Sequence, residues 1–531
     1  MLRENSELLN ILDLPNELLL YVFDHLDFRT RLIASQVCRL WNHLTFTGLF
    51  MDRIYLSLNV TTHNQPELFY TLGQNLRCYR HISLQFDNCE IDLSLLVPLL
   101  ESNDRLESLL LTGVERMEPQ EMNLLLSSVR NLKKLIILNW KAGKETWTFP
   151  CVRTNNGSVH VDQNLANDWF SEDTPVVLSN LECLCLITSS KTQAFERLKS
   201  KFPNVRLLQI TVRNERACEL LHSYSNQLTN LAIESPFPEM FLTMGDLSFP
   251  KLFHLTLDRM ELHDQRILTK CVSFFRNPNH CRSFRELIFH PKFMVRTPMF
   301  STICDHCSNL RSLSLSLDYM DGDALKDITN LRLLENLTLQ GTCYFRESPS
   351  WPIQIPTLRQ VKIAGSRFPI SLLEFIADIA PMLESLALED VENPEEMFRT
   401  IPRLVSGIVH LEMGYTEGFE RPPSCHPSGL LRTMNQLERY CLRRVIIKHG
   451  IQGWLQDASH LKSVRLEDCK TLTDTNLVIL TTNCPKLRQL EIEKCSHITA
   501  SGVQGFRERI PCCKVICDVA SKGFSLTQTS S

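Results

Sequence analysis

The chain of 531 residues is as informative in what it lacks as in what it holds. It has no charge excess: 56 basic residues against 60 acidic ones leave a formal net charge of −4. Such a balance points to no polyanionic partner, and no nucleic acid is expected. It lacks the ~20 consecutive apolar residues of a membrane-crossing helix, because charges or prolines break every candidate run, so no membrane partner is expected. The opening Met1–Asp13 carries acids and no long apolar run, and reads poorly as a secretory signal. It also lacks G-x-x-x-x-G-K-[ST], H-E-x-x-H and G-x-S-x-G, the motifs that cradle phosphates, hold a hydrolytic zinc or present a serine nucleophile. No cysteine shows a readable histidine partner, so the expectation is a protein without catalytic residues or cofactor.

Cysteine is present but scattered, 20 residues in all. That usage suits reduced thiols in the cytoplasm or nucleus. Cys304 and Cys307 form a C-x-x-C with Cys281 upstream. Zinc would require a second ligand pair at suitable spacing. The simpler reading is two ordinary core or helix-end cysteines, and no metal is expected. Of the adjacent Cys512 and Cys513, one is expected to face inward at a repeat anchor.

What the chain does have is repetition. Leu461, Val464, Leu466, Cys469, Leu472 and Leu477 recur 26 positions later as Leu487, Leu490, Ile492, Cys495, Ile498 and Val503. Traced backward, the pattern L-x-x-L-x-L begins at Tyr79, Leu106, Leu132, Leu181, Val205, Leu228, Leu252, Phe284, Leu310, Leu334, Leu358, Leu383, Ile408 and Leu442, and forward at Cys512. Two apolar residues separated by one mark a strand with a single buried face. Each unit then returns through a helix; Thr473 is placed to cap one that runs toward Cys484 and stops before Pro485. The predicted fold is α/β, a curved solenoid with parallel strands on the concave side and helices on the convex side. The step from Leu132 to Leu181 is long, so a degenerate unit or an insertion is expected near residues 140–180. The step from Leu252 to Phe284 is long too. Those on either side of Leu442 sum to two periods, which suggests a displaced boundary.

Before the repeats, Pro15 suits a helix start, and two apolar faces follow: Leu18, Val22 and Leu26 on one, Leu19 and Phe23 on the other. Asp27 is placed to cap a second helix through Leu32 and Ala34. Val37, Leu40, Trp41 and Leu44 continue the apolar pattern. About forty residues cannot bury all of this alone, so part should dock elsewhere. The run Leu14-Pro15, Glu17-Leu18, Val22, Leu26, Val37-Cys38 and Trp41 resembles an F-box. Cys469 and Cys495 after their strands resemble the cysteine-containing leucine-rich repeats of F-box proteins. Asn16 replaces a common aspartate, the first inter-helix link lacks the usual proline, and many middle repeats lack the cysteine.

The resemblance implies an F-box over residues 10–50 built of three helices, a leucine-rich-repeat solenoid over 51–520 and a flexible tail over 521–531. It implies a substrate-recognition subunit of an SCF-type E3 ubiquitin ligase. A Skp1-like adaptor would bind Leu14, Pro15, Leu18, Leu19, Val22, Leu26, Val37, Cys38 and Trp41, and through it a cullin and a RING subunit. The same helices also suit a cap on the first repeat, and a scaffold that binds the adaptor without directing ubiquitin transfer is the alternative. A protein substrate is expected on strand positions that point away from the core. The candidates are Ile136, Leu138, Lys362, Arg444, Lys448, Arg465, Glu467, Glu491 and Glu493, with Ile446 and the apolar pair Cys185 and Ile187 on the same rows. The acids Glu467, Glu491 and Glu493 argue against nucleic acid at the C-terminal end.

Overall fold

A computed structural model describes residue 11 and residues 14–517, apart from 27, 52–53, 74–78, 88, 90, 104, 113–118, 130, 139–159, 162–178, 188–198, 201, 212–216, 235–238, 260–261, 342–352, 366–368, 391–393, 406, 416–423, 426–433 and 448–457. It contains two compact units, residues 1–228 and 229–531.

The first unit opens with helices α1 (Asn16–Asp24), α2 (Phe28–Ala34) and α3 (Arg39–Thr45). Strands β1 (Tyr55–Val60), β2 (His81–Phe86), β3 (Ser108–Thr112) and β4 (Lys134–Leu138) follow as one parallel sheet in chain order. Strand β1 lies ahead of the first sequence anchor, Tyr79, which is only half-buried. Strands β5 (His160–Val161), β6 (Cys183–Ile187) and β7 (Leu207–Thr211) are also parallel neighbours. Residues 140–180 thus contain a short rung, with His160 opposite Cys185. The rest of that span, and the tail at 521–531, lie outside the described residues.

In the second unit every main strand is parallel to the next: β8 (Asn230–Glu234), β9 (His254–Asp258), β10 (Glu286–Phe289), β11 (Ser312–Ser316), β12 (Asn336–Gln340), β13 (Gln360–Ala364), β14 (Ser385–Glu389) and β15 (His410–Gly414). After β16 (Ser424–Cys425), the ladder resumes with β17 (Arg439–Arg443). After β18 (Ile446–Ile447), it continues with β19 (Ser463–Glu467), β20 (Gln489–Glu493) and β21 (Lys514–Cys517). β16 and β18 pair apart from it. Register is one residue to one, so Leu313, Leu337, Val361, Leu386, Leu411, Tyr440, Val464 and Leu490 form one buried column.

Many of the described rungs bury four apolar positions rather than the three of the sequence template. The fourth lies three residues before the anchor, at Phe249, Cys307, Leu331, Ile355, Met434 and Cys484. Its carbonyl accepts the anchor's N–H, as in Leu310 to Cys307 (3.0 Å) and Leu487 to Cys484 (3.1 Å). This turn ends the helix and starts the strand, and it corrects two sequence anchors. Leu437, bonded to Met434 (3.1 Å), is the anchor of β17, and Leu442 is the third apolar position of its pattern, after Leu437 and Tyr440. Cys513 is the buried residue of the last rung, and Cys512 is exposed. The long step before Phe284 is filled by a twelve-residue helix, Gln265–Arg276, and a short one, Pro278–Cys281.

Strands β9, β14, β17, β19 and β20 leave by a left-handed residue: Arg259, Asp390, Arg444, Asp468 and Lys494 have φ of 51–60°. At three of them the N–H reaches the next rung, Asp390 to Gly414 (2.9 Å), Arg444 to Glu467 (2.8 Å) and Asp468 to Glu493 (2.8 Å). Two buried thiols make a second tie: Cys469 donates to the Leu442 carbonyl at 3.7 Å and Cys495 to that of Leu466 at 3.5 Å. The helix Asp474–Asn483 is capped at Thr473, whose N–H donates to Asn476 Oδ1 at 2.8 Å.

Two tests follow from this packing. Gly365 has φ of +154°, and a Cβ there would stand 2.1 Å from the Gly341 carbonyl oxygen. Gly365→Ala is therefore expected to lower stability by about 1–3 kcal/mol in urea unfolding. His280 is fully buried, with Nε2 2.6 Å from the Phe274 carbonyl and its ring tilted against the Phe274 ring. Burial holds its pKa at about 4, against 6.5 for the free side chain. The unfolded chain takes up that proton first, so the contribution is complete above pH 6.5 and falls as pH drops toward about 4. The slope is about 1.4 kcal/mol per pH unit. His280→Gln is expected to flatten this part of the stability–pH curve, and an unaltered slope would refute the assignment.

Candidate functional site

Two surfaces stand out, one in each unit. In the head, α1 starts at Pro15, whose carbonyl accepts from Leu18 (3.0 Å) and Leu19 (3.1 Å). Its buried face is Leu19 and Phe23, packed with Ala34, Leu44 and Phe50. Trp41 is half-buried and sets its ring edge on Phe23, 5.1 Å between centroids. Leu14, Leu20 and Leu26 pack at the margin of this core. Cys38 caps α3 by accepting the Trp41 N–H at 3.5 Å. The opposite side is apolar and open: Leu18, Tyr21 and Val22 on α1, Leu32 and Ile33 on α2, Val37 before α3 and Leu40 on it. Tyr21, Ile33 and Val37 are 66%, 63% and 60% exposed. Such a concentration of exposed apolar side chains is the mark of a docking surface.

In the second unit the surface is the strand face. Buried and outward positions alternate, as in the pattern of Ser463, Arg465 and Glu467 over Val464 and Leu466. The outward residues are charged and paired across rungs. Lys362 on β13 reaches Glu389 on β14 at 2.9 Å. Arg443 on β17 bonds Glu412 on β15 at 3.1 Å and also Glu389, two strands away. Gly414 lies under that span, where a Cβ would approach the Arg443 side chain to 3.1 Å. Burial works against the Arg443 charge, and Glu389 and Glu412 outweigh it, raising its pKa. Arg465 stands among Glu467 (3.3 Å), Glu491 (3.6 Å) and Glu493 (3.2 Å). Nearer the start of this unit, His254 Nδ1 lies 2.7 Å from Glu286 and His290 Nδ1 2.8 Å from Asp258. Upstream, Ser312, Ser314 and Ser316 make β11 an uncharged hydroxyl strip.

The two thiols of the C-x-x-C are poor nucleophiles. Cys304 and Cys307 are buried, and burial raises both pKa values above the ordinary thiol range. His306 Nδ1 is turned to the Thr302 carbonyl at 3.1 Å. Among the described residues no group of three or more His, Cys, Asp or Glu could hold a metal ion.

Residues 11–57 match the F-box-like family model. This segment is an F-box-like domain. The repeats behind it are leucine-rich units of parallel strand and helix. No curated protein matches the chain. Among solved structures it is similar to an internalin (inlF) from Listeria monocytogenes str. 4b F2365, at 14% identity and TM-score 0.36 over 64% of this chain and 81% of that one. It is similar to TLR13 in a complex with ssRNA13, at 15% identity and TM-score 0.44 over 87% of this chain and 63% of that one. A third similarity is to the Rad7 and Elc1 complex in yeast, at 11% identity and TM-score 0.34 over 95% of each chain.

Set against the sequence expectations, the F-box surface keeps Leu18, Val22 and Val37 exposed with Pro15, while Leu14, Leu26, Cys38 and Trp41 are half-buried. Leu19 is corrected: it is fully buried and holds the box together, so it is not available to an adaptor. Sequence reasoning missed Tyr21, Leu32, Ile33 and Leu40 as surface residues. The helical period signalled Tyr21, three positions after Leu18 and opposite Leu19 and Phe23. On the strand face Lys362, Arg465, Glu467, Glu491 and Glu493 occupy outward positions. Arg444 is corrected: it is the left-handed exit residue after β17, paired with Asp468 at 3.1 Å. Ile446 is in the small β16–β18 pair. The misplaced Leu442 anchor caused both errors, and Arg439, Cys441 and Arg443 are the true outward row. Lys448 lies outside the described residues. Ile136 and Leu138 lie in β4 opposite Leu110 and Thr112, and Cys185 and Ile187 lie in β6; their side chains are outside the described set.

The two faces of α1 make a direct test. Leu19→Ala is expected to cost about 2–5 kcal/mol of F-box stability by opening a cavity. Val37→Asp is expected to stay within about 0.5 kcal/mol of the parent, because Val37 is mostly exposed and not part of the buried cluster. Thermal unfolding of both variants checks the assignment, and equal losses would contradict it.

Proposed function

We propose that this chain is a substrate receptor of a ubiquitin ligase of the SCF type. The observation that carries the proposal is the F-box-like domain with its open apolar side at Leu18, Tyr21, Val22, Leu32, Ile33, Val37 and Leu40. A Skp1-like adaptor covers that side, and through it the chain joins a cullin and a RING subunit. The repeats hold a protein substrate on their strand face. The role is positional, with no catalytic residue of its own. Holding a substrate lysine beside a charged E2 raises its effective concentration, which accelerates transfer without new chemistry. We place the protein in the cytoplasm or nucleus, compartments that keep free thiols such as Cys304 and Cys484 reduced.

The test is an affinity purification with the proteasome inhibited, comparing the full chain, Val37→Asp and a chain lacking residues 1–46. The full chain is expected to recover adaptor, cullin and RING subunit. Val37→Asp is expected to lose all three by at least tenfold and to keep the remaining partners, which are substrate candidates. Recovery of the adaptor without a cullin would favour a scaffold that does not direct ubiquitin transfer. Undiminished adaptor recovery by Val37→Asp would refute the assigned surface.

A further inference from the structure

The strand face of the second unit holds a groove of about 510 Å³ across β12, β13, β14, β15 and β17. Four strand spacings of about 4.8 Å make it roughly 19 Å long, the reach of about six extended residues. Its floor is low at Ala387, which has no long side chain to fill it. Its acids are already matched: Glu384 by Arg359 at 3.0 Å, Glu412 by Arg443 at 3.1 Å, and Glu438 by Lys462. Its lysine, Lys362, is taken by Glu389 at 2.9 Å.

Arg439 differs. It lines the same groove, is exposed on β17, and makes no ion pair among the described residues. Its register neighbour on β15 is His410, half-buried, with Nδ1 3.3 Å from Ser385 Oγ. Burial lowers the His410 pKa, Glu412 opposes that, and the Arg439 charge adds to it, which favours the neutral imidazole. Among the described residues the groove therefore offers one positive charge without an ion pair, beside hydroxyl and amide groups. A basic segment would meet acids that already have partners and a guanidinium that repels it. An anionic side chain would meet a free planar fork suited to two parallel hydrogen bonds.

We propose that this groove takes an extended segment of the substrate through an anionic side chain, a carboxylate or a phosphoester, that docks on Arg439. That the bound protein is a ubiquitination substrate rests on the receptor reading above; the charge preference of the groove does not.

The test uses the full-length chain and seven-residue peptide libraries, randomised except for a central Glu, phosphoserine, Gln or Lys. Retention of the Glu or phosphoserine library is expected to exceed that of the other two about tenfold, and to weaken with added salt. Which of the two is retained more tells carboxylate from phosphoester. Arg439→Gln is expected to abolish the preference, Arg439→Lys to keep part of it, and Arg439→Glu to turn it toward Lys. Lys514→Gln, outside the groove on β21, is expected to leave it unchanged. Arg439 has no ion pair to lose among the described residues, so the thermal midpoints of its variants should match the parent. Equal retention of all four libraries, or an anionic preference that survives Arg439→Gln, overturns the proposal. Adaptor recovery by the same preparations separates the two readings. An intact anionic preference without adaptor binding sinks the receptor role alone, and adaptor binding without the preference sinks the groove alone.

Discussion

No rung of this protein can stand by itself. A five-residue strand and its helix bury one apolar side only against the rungs before and after, and the strand's amides and carbonyls are satisfied only by those neighbours. Everything else follows from that dependence. Parallel one-to-one register puts Leu313, Leu337, Val361, Leu386 and Leu411 in a single file, because a slip by one residue would turn each of them to solvent. The turn that lets a helix end and a strand begin repeats with the same hydrogen bond from rung to rung. Several strands exit through a left-handed residue, and at Asp390, Arg444 and Asp468 its N–H reaches onward, so these corners carry inter-rung bonds.

The same constraint frees the outward strand positions. Since packing is complete beneath them, those side chains are chosen by what they meet across the ladder. From β13 to β20 they form a charged mosaic in which Lys362, Arg443 and Arg465 each neutralise acids on neighbouring strands. Exposed pairs of this kind add little stability, about 0–1 kcal/mol each. Their greater effect is to hold side chains in place, leaving Arg439 as the groove cation without an ion pair among the described residues. The F-box solves the opposite problem. It is too small to bury its apolar residues on both sides, so Leu19, Phe23, Ala34, Leu44 and Phe50 make the core and a second apolar side stays open.

The periodicity of leucine, the strand-plus-helix unit and the helical head were all legible in the sequence, because burial at fixed spacing is a one-dimensional signal. Thr473 as a helix cap and the stop at Cys484 were legible for the same reason: capping is local. Less was legible where two positions competed for one role. Leu442 fits the apolar pattern as an anchor, but Leu437 has the preceding turn, and choosing wrongly moved the outward row from Arg443 to Arg444.

By itself, then, the sequence determined that the chain stacks, where its rungs recur and which of its segments is an F-box, since these depend on spacing along the chain. Tertiary structure alone decided which apolar face of α1 is buried, that Leu19 rather than Leu18 is enclosed, and that Arg443 crosses Gly414 to reach Glu389. Those outcomes depend on residues 54 positions apart in one case and on three helices closing on one another in the other. No local pattern encodes such distances, because they are set by the register of the ladder and the packing of the head.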